Sequence, residues 1–134
     1  VNGALLFAMG LDANALAAPA VTPSATGADT VHGHPASAGT YRGRARLVLG
    51  PADFEKLAKG DVLVAQLTSP TYNVVLPLLG AVVTDHGGVL SHPAIVAREF
   101  GIPAVVGTGD ATVRIPDGAI VLVDGDRGTV TLVD

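Results

Sequence analysis

The amino-acid sequence predicts an α/β domain built around a mixed sheet. Three observations carry that expectation. Apolar residues make up 49% of the chain but aromatic residues only 4%, so the core is made of Val, Leu, Ile and Ala, side chains that suit a sheet buried on both faces. Short apolar runs, VLVAQL from Val62, AVVT from Ala81 and PAVVG from Pro103, alternate with stretches of helical character, which is the pattern of parallel strands joined by crossovers. Finally, DGAIVLVDGDRGTVTLVD from Asp117 reads as two β-branched runs around the turn Asp124 to Gly128, a hairpin that adds antiparallel pairing.

Taken in order, residues 1–31 read as the tail of a preceding helix followed by a flexible linker. The linker is richest in Ala, Pro, Thr, Ser, Gly and Asp between Ala18 and Thr30, with nothing large to bury. The domain proper is expected to occupy residues 32–134, with His32 and His34 in a solvated loop. A first strand is expected near Ala45 to Leu49. PADFEKL follows as a short helix, with Pro51 at its first position and acids in the first turn. Lys59-Gly60-Asp61 is a turn before VLVAQL. TYNVVLPLLG reads as a helix ending at Gly80, AVVT as a buried strand, PAIVAREF as a helix stopped by Gly101, and PAVVG as a further strand.

Composition also narrows function. The net charge is -4 and only 15% of residues are charged, so the basic patch with aromatic platforms that nucleic acids require is missing. No apolar run reaches the roughly 18 residues of a spanning helix. The N-terminal stretch lacks the basic start of a secretory signal and carries Asp12. The chain has no cysteine, which excludes disulfides and thiolate chemistry and points by default to the cytoplasm.

The chemistry concentrates in TDHGGVLSHPAIVAREFGIP, residues 84–103. Asp85 to Ser91 form the loop leaving a buried strand, the edge of an α/β sheet where ligands gather. Gly87 and Gly88 let the backbone come close to another molecule. His92 precedes Pro93, which disfavours helical geometry at His92 and fits the first turn itself. His92 is therefore expected at the N-cap or one residue outside it. There the positive end of the helix favours a phosphate and an uncharged, nucleophilic imidazole. Position alone also fits plainer roles: His92 as a polar loop residue, Gly87-Gly88 as a tight turn, Ser91 as a cap, and Arg98 with Glu99 as a structural pair or solvated charges. A serine nucleophile would need a glycine elbow that Ser91 lacks. GTGDAT from Gly107 lacks the third glycine of a dinucleotide loop. A metal site from His32, His34, His86 and Asp85 is a third reading, though their spacing matches no helical ligand pair.

Gly-Gly-x-x-Ser-His followed by Ala-Ile-Val-Ala-Arg-Glu resembles the signature of the swivelling phosphohistidine domain of the phosphoenolpyruvate-utilising enzymes. That family includes pyruvate phosphate dikinase, phosphoenolpyruvate synthase, enzyme I of the sugar phosphotransferase system and rifampicin phosphotransferase. The resemblance runs from about Gly33 through the final hairpin, taking in GHPASAGTYRGRARLV and GDVLVAQLTSP. It implies a three-layer β/β/α fold and a phosphotransferase role as a mobile carrier. His92 would be the phosphoryl-bearing residue, Gly87, Gly88 and Ser91 the phosphate environment, and Asp85 an orienting residue for His92 or a neighbouring loop. It implies ATP or phosphoenolpyruvate as donor, with magnesium, held by an ATP-grasp nucleotide-binding domain and a substrate-binding domain elsewhere in the parent protein. No cofactor or metal is expected on this domain. Leu90 stands where many members have threonine, and Pro93 where a small residue is usual. These two departures are the support for the rival reading, an interaction module of the same fold without phosphorylation.

Overall fold

The computed structural model describes residues 30–133. The expected helix remnant, and all of the expected linker but its last residues, lie outside the described residues. Within them, eight strands form one mixed sheet in the order β1-β8-β7-β3-β4-β5-β6-β2. The strands are β1 (Thr30–His32), β2 (His34–Ser37), β3 (Thr40–Leu47), β4 (Val62–Ala65), β5 (Ala81–Thr84), β6 (Ala104–Val106), β7 (Ile120–Asp124) and β8 (Thr129–Leu132). The helices are α1 (His92–Phe100) and α2 (Ala111–Arg114), with three 3-10 segments at Pro51–Lys56, Pro70–Val74 and Leu76–Leu78.

β3 joins two halves of the sheet. Its first residues pair antiparallel with β7, while Ala45 to Leu47 pair parallel with β4. From there β4, β5 and β6 run parallel. Successive strand side chains point to opposite faces, and these strands are apolar on both. Val62 and Val64, with Val83 and Val105, fill a core shared with Val121, Val123 and Val130 of the hairpin. Leu63, Ala65, Val82, Ala104 and Val106 fill a second core against Ala94 and Ala97 of α1 and against Tyr72 and Leu76. The result is three layers: the β3-β7-β8-β1 half, the β4-β5-β6 centre, and the helices. This is the expected α/β architecture, with its mixed sheet and C-terminal hairpin.

Four local expectations are corrected. His32 and His34 lie in β1 and β2 rather than a loop, because Gly33 N–H bonds Gly128 O at 2.8 Å and β2 pairs with β6 as the edge strand of the sheet. Pro35 is tolerated there because an edge strand can lack one donor. β3 begins at Thr40, five residues before the expected strand, since the distant β7 supplies its partners. The helix expected from Thr71 to Gly80 is two 3-10 turns broken at Val75. Pro77 has no N–H to give the preceding turn. PADFEK is likewise 3-10.

Candidate functional site

The parallel strands place their carboxyl ends side by side, and three loops meet there. The loop after β4 carries Thr68 and leads into the 3-10 turn with Asn73. The loop after β5 carries Asp85 to Ser91 and leads into α1. The loop after β6 carries Thr108 and leads into α2. Backbone bonds extend the sheet into these loops: Asp85 N–H to Ala65 O at 3.0 Å, His86 N–H to Gln66 O at 2.9 Å, and Gly109 N–H to Asp85 O at 2.9 Å.

His92 is the first residue of α1 and Ser91 its N-cap, one position inside the expected placement. The reason is that Ser91, not His92, takes the extended conformation that opens the helix. Pro93 follows in the first turn, where a missing N–H costs nothing. Ala94 and Ala97 are buried against the sheet, and Gly101 ends the helix in the left-handed conformation at φ 71°.

Both imidazole nitrogens have partners. Nδ1 lies 2.8 Å from Thr68 Oγ1, and Nε2 lies 3.0 Å from Asn73 Oδ1. Thr68 is 7% exposed, whereas Asn73 is exposed. Thus Nδ1 faces the interior and Nε2 the surface. Tyr72, between these two residues, is buried and packs edge-on against Phe54 with ring centroids 5.0 Å apart, fixing the 3-10 turn. Burial, with the nearby Asp53 carboxylate, raises the Tyr72 phenol above its ordinary value.

The preceding loop is shaped by its own bonds. Ser91 N–H and Oγ–H both donate to Gly88 O, at 3.0 and 2.6 Å. Ser91 thus closes a turn with its side chain rather than capping the helix. Gly87 has φ 114°, and a Cβ there would lie 2.9 Å from Ser91 Oγ, so the fold requires glycine. Gly88 is different. It has no left-handed φ, and a Cβ would meet nothing within 4 Å, so its bare backbone faces open space. Arg98 ties the loop down by donating to Val89 O and Ala36 O, each at 2.7 Å, in place of the pairing with Glu99 that position suggested. Leu90 is 82% exposed beside it.

Asp85 is buried and belongs to the next loop. It accepts from Thr112 N–H at 3.0 Å, from Thr112 Oγ1–H, and from Thr108 Oγ1–H at 3.3 Å. His92 is held instead by Thr68 and Asn73, neither of which sequence reasoning selected. Thr68 lies 24 residues from His92 and Asn73 lies 19, and no local pattern links them. The TSP step after a buried strand was the only signal available.

A histidine at the first turn of a helix, reached through a glycine turn and held by a buried hydroxyl, coincides with the match to known proteins. Residues 57–128 match the family model described as "PEP-utilising enzyme, mobile domain". The chain belongs to this family. It is 52% identical over 101 residues to a phosphoenolpyruvate synthase of Aeropyrum pernix, covering 75% of this chain and 12% of that protein. It is 45% identical over 103 residues to an uncharacterised phosphotransferase of Bacillus subtilis, covering 77% of this chain and 12% of the relative. A solution structure of Enzyme I superposes with a TM-score of 0.53 at 35% identity, over 60% of this chain and 33% of that one. This mobile domain therefore spans about an eighth of the length of those two relatives. Among the described residues, no helix is long and apolar enough to cross a membrane.

Proposed function

We propose that this mobile domain is a phosphoryl carrier and that His92 takes up and hands on the phosphoryl group at Nε2. One observation supports this reading above the others: the buried Thr68 hydroxyl engages Nδ1 and leaves Nε2 toward the surface. A carrier nitrogen must meet donors and acceptors on other bodies, so it has to be the outward one. Nδ1 is turned inward, where the hydroxyl can hold its proton.

Transfer is in-line. The Nε2 lone pair forms a bond to phosphorus as the P–O bond of the donor breaks, and the electron pair leaves on the donor oxygen. That oxygen belongs to the β-phosphate of ATP or to the enol of phosphoenolpyruvate. Such chemistry asks mainly for positioning and charge stabilisation. Thr68 and Asn73 orient the ring, and the α1 N-terminus favours the incoming anion. The open face of Gly88 gives a phosphate room to approach. Nucleotide, phosphoenolpyruvate and magnesium belong, on this reading, to an ATP-grasp domain and a substrate-binding domain of a cytoplasmic parent protein. The stretch 18–29, ahead of Thr30 in β1, is proposed as the tether to them.

The test supplies partner domains and labelled donor, then measures phosphate on this domain. Label should be lost in acid and kept in alkali, as for a phosphoramidate. His92→Ala should abolish it. His86→Ala should leave most of it, because His86 makes only backbone hydrogen bonds. Label that survives His92→Ala or resists acid would move the interaction-module reading into first place.

A further inference from the structure

The Asn73 side chain stands against the nitrogen that carries the proposed chemistry. A carbonyl oxygen has no hydrogen to donate, so the 3.0 Å contact of Oδ1 with His92 Nε2 is a hydrogen bond only when Nε2 bears the ring proton. Thr68 Oγ1–H then donates to the Nδ1 lone pair at 2.8 Å. In the neutral ring the Asn73 bond alone specifies the Nε2–H tautomer, which has no lone pair at Nε2. The unloaded ring is closed to attack there.

The two partners differ in what they can do next. Thr68 is buried, but a hydroxyl is both donor and acceptor and serves either tautomer by turning its hydrogen. Asn73 is exposed, at the end of a 3-10 turn anchored by buried Tyr72. Rotation about its last side-chain bond exchanges Oδ1 for the two N–H donors of Nδ2, a low-barrier motion for a terminal amide.

We propose that Asn73 is a catalytic gate on His92, resting on the carrier reading above. In the unloaded domain its carbonyl keeps the proton on Nε2. Turned over, its amide donates to a phosphoryl oxygen on Nε2. Loading begins when Nε2 gives its proton to water and Nδ1 takes one, which Thr68 Oγ1 then accepts as a hydrogen bond. The freed Nε2 lone pair bonds phosphorus and the donor P–O bond breaks, with its electrons leaving on the donor oxygen. The Nδ1 proton stays in place throughout. The carboxamide thus serves both ends of the cycle, as acceptor before transfer and donor after it.

The first experiment uses the chain itself with nitrogen-15 histidine, the His92 ring signals being assigned by their loss in His92→Gln. Nε2 should carry the proton in the unloaded protein. In Asn73→Leu the tautomer ratio should move toward Nδ1–H by about fivefold, the weight of one neutral hydrogen bond. The second experiment adds partner domains and labelled donor to Asn73→Asp, which keeps the acceptor, loses the donor and sets a negative charge against the phosphate, with little change of shape. Loading should slow by about tenfold or more, as expected when a donor to a charged group is lost. A proton found on Nδ1, a tautomer ratio unmoved in Asn73→Leu, or normal loading of Asn73→Asp would overturn the gate and leave the carrier reading standing. Absence of label on His92 in the unaltered domain would overturn both.

Discussion

Replacing Thr68 by valine removes one hydroxyl and little else. The two side chains have nearly the same volume, so the 7%-exposed site gains no cavity. What is lost is the 2.8 Å contact with His92 Nδ1. In the unloaded domain Nδ1 then faces a methyl group, at the cost of one neutral hydrogen bond, about 0.5–1.5 kcal/mol. The loss is greater once Nδ1–H becomes the donor and the ring gains positive character during attack, since bonds to charged groups contribute about 1.5–3 kcal/mol. Only the difference between the two losses, about 1–1.5 kcal/mol, slows the reaction, and each 1.36 kcal/mol corresponds to about tenfold in rate, so loading should fall by about tenfold. Folding should change far less, because a neutral hydrogen bond contributes a net of about 1 kcal/mol and valine's extra buried methyl offsets part of it. The assay is the initial rate of acid-labile label in the presence of partner domains, with thermal unfolding as the control. Thr68→Ser, which keeps the hydroxyl, should recover most of the rate. Normal loading of Thr68→Val, or a serine variant no faster than the valine one, would refute Nδ1 anchoring.

Two further expectations follow from geometry. Gly88→Ala meets no neighbour within 4 Å, so urea unfolding should show stability unchanged or raised by about 0.4–1 kcal/mol; loading should nevertheless slow, because the methyl stands where the phosphate approaches. An equal loading rate would remove Gly88 from the site. Asp117 accepts a hydrogen bond from Leu47 N–H at 2.8 Å and sits 3.3 Å from Lys56 Nζ, and the backbone bond, aided by Lys56, holds its carboxyl below the ordinary range. A depressed folded value adds stability above the ordinary carboxylate value, and that stability is lost as pH falls through the folded one. Asp117→Asn should therefore unfold at lower urea than the unaltered domain at neutral pH. The gap should close in acid, and a gap independent of pH would rule out this linkage.

The parts of the fold legible in the sequence are those decided by burial on both faces. VLVA, AVVT and AVV can only be central strands, and their Val, Leu and Ala side chains divide between two cores as alternation requires. The hairpin was equally plain, because its turn and its β-branched runs are local. The edge strands were not. β2 contains Pro35 and exposed His34, and its strand conformation comes from β6, about seventy residues away. The same limit governed the site. His92, Gly87, Gly88 and Ser91 share one short stretch and can be read from it. Thr68 and Asn73 reach His92 only because β4 and β5 run parallel and present their following loops at one edge. A residue chosen by such a crossover leaves no mark in local spacing, whereas Asp85, which lies within the stretch, bonds to Thr108 and Thr112 beyond it.

The sheet order places β1, the first strand, beside β8, the last, and inserts the hairpin between β1 and β3. None of β1, β2 and β3 can therefore complete its pairing from its own neighbourhood. During synthesis β1 waits, and the sheet closes only when Leu132 has emerged. Contacts this distant in sequence make folding slow, since the loop must close before its contacts are gained. A ribosome that stops within the hairpin leaves the apolar inner faces of β3 and β4 uncovered, and that is when the domain is most exposed to aggregation. Once closed, the two ends of the domain lie on adjacent strands. A circular permutant that joins them by a short linker and opens the chain at Lys59-Gly60 would keep every strand neighbour while letting the hairpin form before β3 is made.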